Sequence, residues 1–212
     1  SVTTPTGWLI RDTLTARLHP RLACKALVAA LASQGVSIET KAQDEGRVLW
    51  ATGVAGLEEL SRSRSRTVGA GIKGQAALLD CNMAHASQLF VDTLHIVPHA
   101  DGTVAIGSTS ERDYNEPSTT DQQLDQLIEK ARRAVPLLAE APVVDRWAGV
   151  RPRARSRAPM LGAWPDRDGH FIANGGFKIG FGMAPKIAEV MADLLLEDKD
   201  AIPEPFRVAA SF

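Results

Sequence analysis

Two segments, Trp147-Ala-Gly-Val-Arg-Pro152 and Gly175-Gly-Phe-Lys-Ile-Gly-Phe-Gly-Met-Ala-Pro185, decide how the rest of this chain is read; the second runs into an apolar stretch ending at Leu196. The first places an arginine on an extended segment, and the second is a glycine-rich loop that opens a helix. Such a loop lets backbone N–H groups come close to a ligand, and the helix behind it presents the positive end of its dipole. The arginine offers a planar fork that fits a carboxylate. Pro185 is expected near the helix N-terminus, with Ile187, Val190, Met191, Leu194 and Leu195 as the buried face.

Working back toward the N-terminus, Ala23, Ala26, Leu27, Ala30 and Leu31 fall at helical spacing after Leu18-His19-Pro20, with Pro20 in the first turn and Gly35 past the end. Val36 to Glu39 reads as a short strand, Gln43-Asp-Glu-Gly46 as a turn, and Arg47 to Ala51 as a strand ending at Thr52-Gly53. Ser61-Arg-Ser-Arg-Ser-Arg66 is expected to be a polar, mobile connector. Strands follow over Ile72–Leu79 and Leu89–Val97, and Pro98-His-Ala-Asp-Gly102 turns the chain into a hairpin strand at Thr103–Gly107. A second helix is expected from Thr120, whose spacing to Gln123 fits a capping box; Leu124, Leu127, Ile128, Ala131 and Val135 form its stripe and Pro136 stops it. There is no internal repeat, and the sum is α+β with several antiparallel strands and few helices.

Composition excludes several classes. The chain has 212 residues, enough for one large domain or two interleaved ones. With 24 Lys and Arg against 25 Asp and Glu the formal net charge is −1, so no overall field recruits nucleic acid or an anionic membrane. The arginines of Ser61–Arg66 lack interleaved aromatics and do not make a nucleic-acid tract. Cys24 and Cys81 have no pairing pattern and read as reduced thiols of a cytoplasmic protein. No apolar run reaches membrane length. The five histidines, His19, His85, His95, His99 and His170, show no ligand spacing, so no metal is expected, and no G-x-S-x-G elbow is present.

Gly69-Ala-Gly71-Ile-Lys-Gly74 matches the dinucleotide fingerprint G-x-G-x-x-G, and Asp92 lies roughly where a ribose carboxylate belongs. That fingerprint needs a buried apolar strand before it and a helix opening inside it. Here Ser-Arg-Ser-Arg-Ser-Arg-Thr precedes, and Gln75 to Asp80 is too short before Asn82 for the crossover helix. A glycine-containing strand entering a sheet is the expected structure.

Taken in order, six pieces resemble the D-amino-acid oxidase and glycine oxidase family of flavoenzymes. They are Gly7–Gly35, Val48-Leu-Trp-Ala-Thr-Gly53, Ile72-Lys-Gly-Gln75, the hairpin from Ile96-Val-Pro98 to Ile106-Gly-Ser-Thr109, then Gly149-Val-Arg-Pro152 with Pro159-Met-Leu-Gly162, and the Gly175–Pro185 loop. The resemblance implies a mixed, largely antiparallel substrate domain with helices, plus the C-terminal part of an FAD-binding α/β domain. It divides the chain into residues 1–57, partly FAD-binding; 58–146, substrate-binding; and 147–212, returning to the FAD-binding domain. The family's N-terminal βαβ unit, which carries the true fingerprint, has no counterpart here. The chain is therefore expected to be part of a longer gene product, or else one partner of a split enzyme. Without that unit it is expected to purify colourless and inactive and to self-associate through exposed apolar surface.

By the same resemblance, the implied activity is FAD-dependent oxidation of an amino acid or secondary amine, by hydride transfer to flavin and hydrolysis of the imine. A non-catalytic or partner-requiring binding and assembly module of the same fold is the alternative. Arg151 matches the arginine that holds the substrate carboxylate, and Lys178 lies where relatives place a basic or polar side chain near the ring. Ala51, Thr52, Gly53, Gly149, Gly175, Gly176, Phe177, Gly180, Phe181 and Met183 would contact FAD, with the helix after Ala184 aimed at its pyrimidine edge. Arg153, Arg155 and Arg157 follow Arg151 at alternating positions, which on an extended strand would set all four on one face. The extra arginines suit an anionic substrate.

Overall fold

A computed structural model describes residue 4 and residues 6–212. The chain forms two compact units. Unit 1 takes residues up to Ala42, Gly74–Ser110 and Ser118–Ala148; unit 2 takes Gln43–Lys73, Glu111–Pro117 and Gly149–Phe212. Against the expected cuts after residues 57 and 146, the chain passes between units after Ala42, Lys73, Ser110, Pro117 and Ala148.

Unit 1 contains helix α1 (Pro20–Ser33), which starts at Pro20 and turns off at Gly35 as the sequence indicates. None of its residues is buried, and Leu22, Leu27, Val28 and Leu31 are all exposed. The expected strand Val36–Glu39 does not form: Val36 and Ile38 are exposed, and no described strand lies beside them to complete a ladder. A five-stranded sheet follows, in the order β3-β4-β5-β2-β6. Its strands are β2 (Gly69–Asp80), β3 (Leu89–Val91), β4 (Leu94–Pro98), β5 (Thr103–Gly107) and β6 (Val143–Ala154). Alternate residues of β4 and β5 point into the core, the period-2 pattern that buries one face of a sheet. Leu79, Leu94, Ile96, Val104 and Ile106 pack there against Leu124, Ile128 and Ala131 of helix α3 (Gln122–Ala134). Each fully buried Leu or Ile contributes about 1.5–3 kcal/mol.

Two local features correct the sequence expectation in this unit. Leu89–Val97 is not one strand, because Asp92 and Thr93 both take positive φ and close a two-residue hairpin between β3 and β4. The cap of α3 is Asp121 rather than Thr120: its Oδ1 accepts the Gln123 N–H at 2.9 Å. Wholly buried Gln75 on β2 spends both ends of its amide on Asp121. Nε2 donates to Oδ1 at 2.9 Å, and Oε1 accepts the Asp121 N–H at 2.8 Å. In the β4–β5 turn, burial of the His99 ring lowers its pKa, and the neighbouring His19 pushes it the same way.

Unit 2 holds a second sheet. Strand β1 (Val48–Trp50) pairs in parallel with β8 (His170–Asn174), which pairs antiparallel with β7 (Met160–Ala163). Helix α2 (Gly53–Ser63) departs directly from β1 and buries Leu57 and Leu60 against Val68, Met160, Trp164 and Ile172. The sequence reading missed α2, and the first half of the expected connector Ser61–Arg66 is its last turn. Ser61 Oγ donates to the Leu57 carbonyl and accepts the Val68 N–H, so this serine locks the helix end to the start of β2. Helix α4 (Gly180–Glu197) packs Val190 and Met191 with Leu161 and Ile202, and Ile187, Leu194 and Leu195 pack around them as expected.

Gly69 and Gly71, the start of the fingerprint match, lie inside β2 with no helix opening there. A Cβ at Gly69 would stand 2.8 Å from the Arg153 carbonyl oxygen, and one at Gly71 would stand 2.7 Å from the Tyr114 hydroxyl. These glycines serve close packing within unit 2, not phosphate binding.

Candidate functional site

Where β1 and β8 end, unit 2 opens into a cleft of about 660 Å³. Its walls are Leu49, Ala51 and Gly53 at the end of β1, Pro152 on β6, the segment Ala173–Phe177, and one face of α4 from Gly180 to Leu196. Asn174 is the one polar side chain among the described residues lining it, and none of them is charged. Asn174 faces two ways: Nδ2 donates to the Gly53 carbonyl at 2.8 Å, and Oδ1 accepts the Gly175 N–H at 2.7 Å. This one side chain fixes the β1–α2 junction and the glycine loop to each other. Gly175 itself sits at φ +74°, where a Cβ would come within 2.7 Å of the Ala154 Cβ and 3.1 Å of its backbone nitrogen. Only glycine meets both conditions.

The helix expected after Ala184 begins earlier, at Gly180. Gly180, Phe181, Gly182 and Met183 are therefore its first turn rather than loop, and Pro185 lies inside the helix rather than at its start. Ile179 N–H donates to the Gly176 carbonyl, and Met183 N–H to Ile179, which carries the loop straight into the helical ladder. Among the described residues no side chain caps this end. The helix tolerates Pro185 only six residues in, where it leaves the Phe181 carbonyl without its helical donor.

Beside the cleft stands a charged group that the sequence reading did not assemble. Lys73 and Glu111 form a bridge between extended segments, with Nζ and Oε2 3.7 Å apart and side chains only 4% and 8% exposed. Burial lowers the pKa of the half-buried Arg151, and the Glu111 charge partly offsets this. Lys73 and Arg151 thus both feel the one carboxylate of Glu111. Pro152 lines the cleft and Arg151, its neighbour on β6, does not. The cation stands one residue from the cleft wall.

The remaining expected residues separate clearly. Ala51, Gly53, Gly175, Gly176, Phe177 and Gly180 line the cleft; Thr52, Gly149, Phe181, Met183 and Lys178 do not. Lys178 is exposed, with its ammonium 5.5 Å from the centre of the Phe177 ring. The four arginines do not share a strand face. Strand β6 ends at Ala154, Arg155 enters a turn, and Arg157 takes φ +68°, so only Arg151 and Arg153 are paired on the strand. Arg153 packs over Phe177 at 5.8 Å. Asn174 was legible as a turn former before glycine. Glu111 carried no local signal, since its partner lies on a different element.

The family model for FAD dependent oxidoreductases matches residues 4–194. A glycine oxidase from Pseudomonas putida is 29% identical over an alignment of 211 residues, which takes in 89% of this chain and 58% of that protein. A glycine oxidase from Pseudomonas aeruginosa is 30% identical over 140 residues, 65% of this chain and 38% of its own length. The chain thus spans about half the length of these curated relatives, or less. Among solved structures, iminodiacetate oxidase from Chelativorans sp. BNC1 superposes with a TM-score of 0.75 at 19% identity, over 88% of this chain and 57% of that one, a likeness of fold.

Proposed function

Because the chain belongs to the family of FAD dependent oxidoreductases, we propose that it serves in an enzyme that oxidises an amino acid or a secondary amine. Hydride leaves the substrate's α-carbon, and water hydrolyses the resulting imine to a 2-oxo acid and an amine. The observation that carries this reading is the cleft of glycine backbone and apolar side chains one residue from a half-buried arginine. The relatives named as glycine oxidases support a small amino-acid substrate.

The residues fit the flat ring portion of FAD. Gly175 and Gly176 bring backbone against the cleft, the walls are apolar, and the uncapped start of α4 offers N–H groups and a positive dipole end. When bound, FAD supplies the two-electron acceptor for the hydride. Ala51, Gly53, Gly175, Gly176, Phe177 and Gly180 form its contact surface, with Thr52, Gly149, Phe181 and Met183 at the margins. Arg151 receives the substrate carboxylate in a charge-assisted pair, and Glu111 holds the guanidinium in place. Lys178 is the weaker contributor, because an exposed ammonium is screened by water.

One observation favours the second reading, a partner-requiring binding or assembly module of the same fold: among the described residues lining the cleft, no charged side chain is available for the FAD diphosphate. The deciding experiment is kinetic and uses the complete FAD-loaded enzyme with glycine, N-methylglycine and D-alanine. Oxidation of any of them supports the enzyme reading. Arg151→Ala is then expected to weaken binding of carboxylate substrates by about 2–5 kcal/mol while sparing amines that lack the carboxylate. No turnover of any amine overturns the enzyme reading, and an unchanged KM removes Arg151 from it.

A further inference from the structure

Far from the cleft in sequence, and wholly within unit 1, His19, His99 and Asp101 converge. One ligand atom from each lies within 4.8 Å of the others. His19 immediately precedes α1, while His99 and Asp101 belong to the turn between β4 and β5. His19 Nε2 and Asp101 Oδ2 are 3.5 Å apart. That is close to the ~3.4 Å edge of a tetrahedron built on metal–ligand bonds of about 2.1 Å. The two imidazole rings lie against each other with centroids 4.1 Å apart and planes inclined by 33°.

The second atom of two of these groups is already engaged, and both by Thr103. The Thr103 hydroxyl donates to Asp101 Oδ1 at 2.7 Å, and its backbone N–H donates to the same oxygen at 3.1 Å. With its proton spent on Asp101, that hydroxyl accepts from His99 Nδ1 at 3.1 Å. His99 therefore carries its proton on Nδ1 and keeps the Nε2 lone pair for a metal; Asp101 presents Oδ2. This is the outer-sphere arrangement that orients ligating histidines and carboxylates. At His19 the Nδ1 atom accepts the Leu22 N–H at 3.5 Å, a bond long enough that little is lost when a metal on Nε2 moves the proton to Nδ1. His99 is buried, His19 half-buried and Asp101 exposed, so an ion can enter from the aspartate side.

We propose that His19, His99 and Asp101 form a binding site for a divalent transition-metal ion, zinc by ligand chemistry, that fastens the start of α1 to the β4–β5 turn. Two imidazoles and one carboxylate suit zinc, with water as the fourth ligand. The role is structural and independent of the flavin reading.

The test titrates metal-free protein with zinc chloride, read by calorimetry, and with cobalt chloride, read by visible d–d absorption. One equivalent of zinc is expected per chain, with a raised unfolding midpoint. His99→Ala should abolish that equivalent. Asp101→Asn, at an exposed position where folding persists, should weaken zinc at least about tenfold and remove the midpoint shift. Amide signals of Leu22 and Thr103 should move on zinc addition in the parent. Absence of stoichiometric zinc in the parent, or equal affinity in Asp101→Asn, overturns the proposal and leaves the cluster as a stacked histidine pair.

Discussion

Replacing Gly175 by alanine tests the geometry of the cleft more directly than any change of charge. Two costs add. The backbone there is held at φ +74°, which costs an L-residue about 1–2 kcal/mol. The new Cβ would also stand 2.7 Å from the Ala154 Cβ and 3.1 Å from its nitrogen, well inside the 3.5–4.0 Å of ordinary carbon contact. Ala154 is 1% exposed and is fixed in β6, so it cannot step aside, and overpacking adds about 1–3 kcal/mol. The sum is about 2–5 kcal/mol. For a chain of this size each kcal/mol lowers the melting temperature by about 2–4 °C, so a fall of roughly 4–20 °C is expected in scanning calorimetry. Gly53→Ala is the control, because Gly53 takes φ +61° but a Cβ there meets nothing within 4 Å. It should show the first cost alone. Equal melting shifts for the two variants would refute the claim that the loop is pressed against β6.

The remaining predictions concern charge and association. Glu111→Gln leaves a nearly buried Lys73 ammonium unpaired and should cost about 3–5 kcal/mol in urea unfolding, whereas the double change Lys73→Met with Glu111→Leu should cost less. Arg207 hydrogen bonds, with help from the Ile202 N–H, hold the Asp200 carboxyl below its usual 3.8. In that range the unfolded chain binds the proton first, so this stabilisation is full above pH 3.8 and is lost as pH falls below it; Asp200→Asn should flatten that part of an acid-unfolding curve. With Leu22, Leu27, Val28 and Leu31 exposed along α1, light scattering should report a mass that rises with concentration; a constant monomer mass would count against a sticky α1.

What the sequence disclosed depended on how local the signal was. Helix α1 was legible because Pro20 and Gly35 bracket a periodic stripe, and the hairpin turn at Pro98–Gly102 because its residues are turn formers. The glycine loop was legible, but its helix was placed too late, because Pro185 reads as a start signal and here the helix runs through it. Helix α2 was missed because Gly53 and Gly56 dilute a stripe that only Leu57 and Leu60 carry into the core. Long-range pairings left no trace at all. Glu111 meets Lys73, and His19 meets His99, through sheet and turn geometry that no spacing rule encodes.

The amide of Gln75 has a consequence for how α3 is seated. Apolar packing of Leu124, Ile128 and Ala131 tolerates sliding, since one methyl surface accepts another at many offsets. A carboxamide has polarity: its donor end must meet the Asp121 carboxylate and its acceptor end the Asp121 N–H. A helix displaced by one residue, or a glutamate in place of Gln75, sets like against like at a side chain that water does not reach. Unit 1 therefore keys the helix to β2 by direction as well as by shape, and a single wholly buried side chain selects one seating among the many that hydrophobicity alone would accept.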